Sequence, residues 1–308
     1  MKARVIKSTG SWYTVLNSNM ELVDCRMKGN IRLKGSRSTN PIAVGDVVDY
    51  EMESNTSQGV INAIDDRKNY IIRKSINLSK KSHVLAANID HAFIMATVST
   101  PRTPFGFIDR MLVTAEAYSI SASIILNKKD TWNEKDLTLA KEMIETYTRV
   151  GYEIKSISSL NETDVQQLKS TLQGKVSLLI GHSGTGKSTL INGLNHNLKI
   201  KTAAISDVHL QGKHTTTFAE MHPIEKDTFI IDTPGIREFG LIDMNKNELG
   251  HYFPEIRARL NQCKFNNCLH LNEPGCAVKE AVSIDEIPFT RYRSYVSMIE
   301  GETEEEFD

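Results

Sequence analysis

The run Gly181-His182-Ser183-Gly184-Thr185-Gly186-Lys187-Ser188 constrains this chain more than any other stretch. It fits G-x-x-x-x-G-K-[ST] and directly follows the apolar segment Lys175–Ile180. Strand, glycine-rich turn and helix in that order make a phosphate cradle. The glycines let backbone N–H groups turn inward around phosphates, and Lys187 is placed to reach the β- and γ-phosphates. Ser188, followed by Thr189, opens a helix whose positive end favours an anion, and its hydroxyl can supply an oxygen to Mg²⁺. A chance glycine-rich turn is the alternative, and the neighbouring motifs argue against it.

Asn127-Lys128-Lys129-Asp130 follows the short apolar strand Ile124–Leu126 and fits N-K-x-D. The Asp130 carboxylate can accept from both N1–H and the 2-amino group of guanine, donors that adenine lacks. Asp232-Thr-Pro-Gly235 closes the strand Thr228–Ile231 and fits D-x-x-G, with Asp232 facing Mg²⁺ and Gly235 the γ-phosphate. Between the two glycine motifs lies Gly212–Thr217, where one of three threonines, Thr216 by preference, completes the Mg²⁺ shell. Ser156, Ile157 and Ser158, after the strand Tyr152–Lys155, stand where a further guanine-contacting loop belongs.

The order of these motifs is permuted. N-K-x-D precedes the phosphate loop, whereas an ordinary GTPase runs phosphate loop, threonine loop, D-x-x-G and then N-K-x-D. Permutation leaves a packed sheet unchanged while moving the termini. Hydrolysis also departs from the usual pattern, because Gly235 is followed by Ile236, which can neither donate to nor accept from an attacking water. His214 is the candidate for that task, since a neutral imidazole can take a proton near neutral pH. A surface histidine with no chemical role is the competing reading.

The remainder of the chain frames this core. Residues 1–69 read as five short β segments of a small barrel, 70–240 as strands alternating with helices around a parallel sheet, and 241–308 as a small, mainly helical unit with an acidic tail. Met1–Lys81 carries 14 Lys and Arg against 8 Asp and Glu, a layout suited to a polyanion, although ordinary solvated surface reads the same way. Trp12 and Tyr13 could face a nucleic acid or pack inside the barrel. Cys263-x₄-Cys268-x-His270-x₅-Cys276 offers three thiolates and an imidazole, the ligand set of one closed, structural Zn²⁺ site. No early stretch reads as a leader and no segment approaches the roughly 20 apolar residues that span a bilayer, so a cytoplasmic chain is expected, with monomer as the default.

With these motifs in hand, the chain closely resembles the RsgA (YjeQ) family of circularly permuted, ribosome-dependent GTPases over nearly its whole length. The resemblance implies an N-terminal OB-fold, a permuted α/β P-loop GTPase core and a C-terminal zinc-binding domain. It further implies a late assembly factor that binds the 30S subunit and its 16S rRNA, hydrolyses GTP to GDP when the subunit stimulates it, and uses Mg²⁺ with the nucleotide. The Ser156–Ser159 loop departs from the family's S-A-K, and the acidic tail matches no family motif. Two competing readings are a GTPase with another RNA target and an RNA-binding scaffold that GTP merely stabilises.

Overall fold

The computed structural model describes residues 1–29, 41–54, 56–74, 82–201, 219–233 and 245–301. The candidate residues His214, Thr216 and Gly235, together with Ile236 and the acidic tail, lie outside them.

Strands β1 (Lys2–Ser8), β2 (Trp12–Asn17), β3 (Leu22–Met27), β4 (Val47–Met52) and β5 (Gly59–Ile64) form the barrel, closed by β1 pairing with β4 and β3 with β5. Inward residues alternate along each strand, so Val5, Tyr13, Val15, Cys25, Val48, Tyr50 and Ile61 fill the interior. Of the two aromatics, Tyr13 is buried in the barrel, whereas Trp12 is 43% exposed and does not pack there. Gly59 is required at one crowded point: a Cβ would stand 2.7 Å from Cys25 Sγ.

A hairpin of β6 (Tyr70–Lys74) and β7 (Ser82–Ala87), absent from the sequence reading, joins the barrel to the α/β unit. There β8 (His91–Ala96), β9 (Ser121–Leu126), β10 (Glu153–Ser156), β11 (Val176–Ile180), β12 (Glu220–Glu225) and β13 (Thr228–Asp232) assemble in the order β10-β9-β8-β11-β13-β12. The first five are parallel, and the central β8, β11 and β13 are nearly continuously apolar, as strands covered by helices on both faces must be, whereas the edge strand β10 is mostly polar. Strand β12, also missed, runs antiparallel to β13 and departs from the all-parallel expectation. Covering the faces are α1 (Phe105–Ala117), α2 (Glu134–Arg149), α3 (Glu162–Leu172) and α4 (Lys187–Leu194). Helix α2 starts at a capping box in which Asn133 and Asp136 satisfy each other's backbone N–H, worth about 1 kcal/mol.

Barrel and α/β unit share one sheet. Lys7 of β1 pairs with Glu220 of β12, a single rung, and Arg4 lies over the Phe229 ring of β13. Ile6 and Leu16 also enter the cluster that packs the central sheet. The C-terminal unit comprises α5 (Pro254–Arg257), α6 (Ala277–Ser283) and α7 (Phe289–Glu300) around a core of Leu249, Phe253, Ile256, Val278 and Tyr295. Among the described residues no helix is long and apolar enough to cross a membrane.

Candidate nucleotide site and metal centre

Because β8, β9, β11 and β13 are parallel, their carboxyl ends reach the same edge, and ligands of such sheets bind outside that edge. Strand β11 runs directly into the glycine loop, β13 ends at Asp232 beside it, and β9, two strands from β11, leads into Asn127. Three segments remote in sequence therefore meet around one space.

The side chain of Asn127, 1% exposed, ties them together. Its Nδ2 donates to the Thr185 carbonyl in the glycine loop at 2.8 Å, and its Oδ1 accepts from Ser159 N and Ser159 Oγ, both at 2.9 Å. Gly186 has φ +102°, and a Cβ there would stand 2.3 Å from Asn127 Nδ2, so only glycine permits this contact. At Gly181 a Cβ would meet the Met95 carbonyl at 2.5 Å. Thr185, fully buried, closes the loop through Oγ1 to the His182 carbonyl at 2.9 Å, whereas Ser183 and Gly184 are exposed at its crest.

Lys187 Nζ donates to the carbonyls of Gly181 at 2.7 Å and His182 at 2.9 Å. Burial lowers its pKa and the nearby Asp232 opposes that. Burial in turn raises the Asp232 pKa, with Lys187 acting against it. Asp232 Oδ1 is buried and has no hydrogen-bond partner among the described residues. A carboxylate oxygen left unpaired near the helix that opens at Lys187 fits a hard, oxygen-seeking cation, so Asp232 and Ser188 could hold Mg²⁺.

A second clamp joins the loop after β9 to the loop after β10. Lys129 Nζ donates to Asp164 Oδ1 and Ser158 N to Asp164 Oδ2, both at 2.7 Å. Burial alone would raise the Asp164 pKa; the Lys129 ammonium and the Ser158 N–H outweigh it and hold it below the ordinary carboxylate range. Lys128 adopts a left-handed backbone and sends Nζ to the Thr100 carbonyl at 2.6 Å. Asp130 stays exposed in a cleft of about 600 Å³ with Ser158, Asn161, Leu160 and Trp132 along its walls. Two of the proposed loop residues sit differently from expectation. Ser156 is the last residue of β10 rather than part of the loop, and Ile157 directs its side chain into the core, offering only backbone groups. Asp164 and Thr100, which do part of the bracing, escaped sequence reading because Lys129 and Lys128 lie 35 and 28 residues away; Ser159 was read as part of the guanine loop, and its bond to Asn127 was not.

In the C-terminal unit, Cys263 Sγ, Cys268 Sγ, His270 Nδ1 and Cys276 Sγ all lie within 4.8 Å of one another. A tetrahedron with bonds of about 2.3 Å to sulfur and about 2.0 Å to nitrogen has sulfur–nitrogen edges of about 3.5 Å. The His270 Nδ1 contacts are 3.6 Å to Cys263 and 3.4 Å to Cys276, so the donor set fits one tetrahedral ion. Glu273 collects the backbone N–H groups of Leu269, Leu271 and Asn272, while Tyr292 and Tyr295 donate to the carbonyls of His270 and Leu269. These bonds hold the ligand turn, in which His270 takes φ +60°. Without a cation, burial pushes the Cys268 thiol up to about 12, so metal binding there releases protons.

Fold and loop order define a circularly permuted P-loop GTPase. Within that class the chain belongs to the RsgA family: the RsgA GTPase model matches residues 64–242 and the RsgA N-terminal domain model residues 2–61. A curated relative from Flavobacterium johnsoniae, named small ribosomal subunit biogenesis GTPase RsgA, is 52% identical over 99% of this chain and 94% of its own. One of the same name from Bacteroides fragilis is 51% identical over 99% and 98%. The crystal structure of YjeQ from Thermotoga maritima superposes with a TM-score of 0.77 at 32% identity, covering 97% of each chain. YloQ, described as a circularly permuted GTPase, gives 0.73 at 27% identity over 97% of this chain and 94% of its own.

Proposed function

We propose that this GTPase acts in maturation of the small ribosomal subunit, binding the 30S particle and its 16S rRNA and hydrolysing GTP to GDP and phosphate when the particle stimulates it. The observation that carries the guanine-nucleotide part is the Asn127 side chain, which joins the phosphate loop to the base loop. The names of relatives that match end to end support the ribosomal part. In this reading Asp130 recognises guanine, Gly181–Thr189 cradle the phosphates, Ser188, Thr216 and Asp232 would hold Mg²⁺, and Gly235 would contact the γ-phosphate. His214 orients or deprotonates the attacking water, a role Ile236 cannot fill. The barrel and the C-terminal unit, the latter held by one structural Zn²⁺, present the RNA-facing surfaces of a monomer working in the cytoplasm. The units 1–69, 70–240 and 241–308 divide these tasks.

The test is GTP turnover alone, with purified 30S subunits and with 50S subunits, with Ser188→Ala as control. Stimulation by 30S alone that disappears in the control is the expected outcome. Equal slow turnover throughout would move the reading to another RNA target, or to a scaffold that GTP only stabilises. Asp130→Asn should shift preference from guanosine to xanthosine diphosphate, and an unchanged preference would remove the assigned base contact.

A further inference from the structure

Helix α1 is buried along most of its surface, with Gly106, Arg110 and Ala117 partly exposed, and its buried faces meet different parts of the molecule. Phe105, Ile108, Leu112 and Ala115 pack into the core of the central sheet. Asp109, Val113 and Glu116, spaced four and three residues apart, form an outer stripe that meets the C-terminal unit. Val113 joins that unit's core, Glu116 pairs with Arg257 at 3.0 Å, and Asp109 receives Arg291 Nη1 at 2.7 Å. Arg291 and Asp109 are both fully buried. Arg291 also bonds Glu255 at 2.7 Å and stands 4.6 Å over the Phe253 ring, while Tyr147 donates to Asp109 at 2.9 Å. Burial disfavours the Arg291 charge, yet the two carboxylates outweigh it and keep the guanidinium protonated.

The same helix touches the phosphate loop. Phe107, 2% exposed, lies against the His182 ring with centroids 3.8 Å apart. The His182 carbonyl is in turn a partner of both Lys187 Nζ and Thr185 Oγ1. The turn leading into α1 adds Pro101 beside Gly184 and the Thr100 carbonyl that receives Lys128.

We propose that Arg291 and Phe107 are positioning residues for phosphate binding: Arg291 fixes α1 from the C-terminal unit, and Phe107 passes that placement through His182 to Lys187. A buried ion pair is a poor source of net stability but a strict determinant of register, because any shifted arrangement strands a charge. Coupling of this kind is reciprocal, so nucleotide binding must steady α7 as much as α7 steadies the loop. The inference rests on the reading of Gly181–Ser188 as the phosphate site.

Two measurements on the full chain test it. In Arg291→Met and in Phe107→Leu, affinity for GDP should fall about tenfold. The ratio of GDP to IDP affinity should hold, because Asp130, the residue assigned to the base, is braced through Lys129 and Asp164 rather than through His182. A merely structural role would lower the melting temperature and leave GDP affinity unchanged. In the unaltered chain, saturating GDP should slow amide exchange along Phe289–Glu300. If GDP saturates its site and that exchange does not change, the proposal is overturned, even should Arg291→Met fail to fold. Absence of any GDP binding by the unaltered chain would instead overturn the nucleotide-site reading.

Discussion

Asn127→Ala is the substitution whose cost can be worked most directly from the structure. The wild-type amide makes three hydrogen bonds of 2.8 to 2.9 Å in a position 1% exposed. A hydrogen bond in such a setting contributes about 1 kcal/mol net, and a buried partner left unpaired costs about 1 to 3 kcal/mol. The methyl group that replaces the amide reaches none of the three partners. If the glycine loop and the Ser159 loop drift apart until water satisfies those groups, the loss approaches the lower figure for each bond, about 3 kcal/mol in all. Nucleotide binding must then restore the alignment, so GDP affinity should weaken by about two orders of magnitude, since each 1.4 kcal/mol is tenfold. Equilibrium titration with a fluorescent GDP analogue reads this directly. Ser159→Ala removes one hydroxyl partner and keeps the backbone N–H, so it should cost about tenfold or less. Combined with Asn127→Ala it should add almost nothing, because the bond it removes is already gone. GDP affinity within threefold of wild type in Asn127→Ala, or full additivity in the double variant, would refute the clamp.

Two further outcomes are expected. Protein purified without a tag should contain close to one zinc per chain, and stripping it with a chelator should melt the Cys263–Cys276 turn while leaving the barrel folded, as read by amide exchange; retention of a folded turn without metal would count against a structural ion. Burial, with a smaller push from Lys175, holds the His91 imidazole below its ordinary pKa. The ring is thus neutral in the fold, while an unfolded histidine takes a proton below about pH 6.5. Its contribution to stability is complete above that value and is lost as pH falls through the folded pKa. The melting temperature should drop on acidification from pH 7 to 5, and His91→Gln should flatten that slope; an unchanged slope would show that other groups set it.

The motifs Gly181–Ser188, Asn127–Asp130 and Cys263–Cys276 could be read because each is compact and its spacing is dictated by a ligand, with the two nucleotide motifs identified by their flanking strands and by each other. The barrel strands were legible from alternation. Strand β12 was not, because Glu-Met-His-Pro-Ile-Glu holds a proline and three charged or polar residues, and its place is decided by β13. Helix α3 did carry a signal that went unread, an Asn161 cap before Val165, Leu168 and Leu172. Arg291 could not have been found: a charged residue in an amphipathic helix reads as solvated, and its partner Asp109 lies 182 residues away.

The single rung between Lys7 and Glu220 also bears on how the chain avoids sticking to itself. Strand β12 would otherwise be the open border of the α/β sheet, a row of unpaired amides that invites another chain. The barrel shields only its first residue; beyond it, Pro223 lacks an amide hydrogen and Glu225 brings a charge. Deleting the barrel to study the nucleotide domain alone would therefore uncover both this border and the apolar surface under Ile6 and Leu16. Aggregation of such a fragment would report a lost cover, and nothing about whether RNA binding requires the barrel.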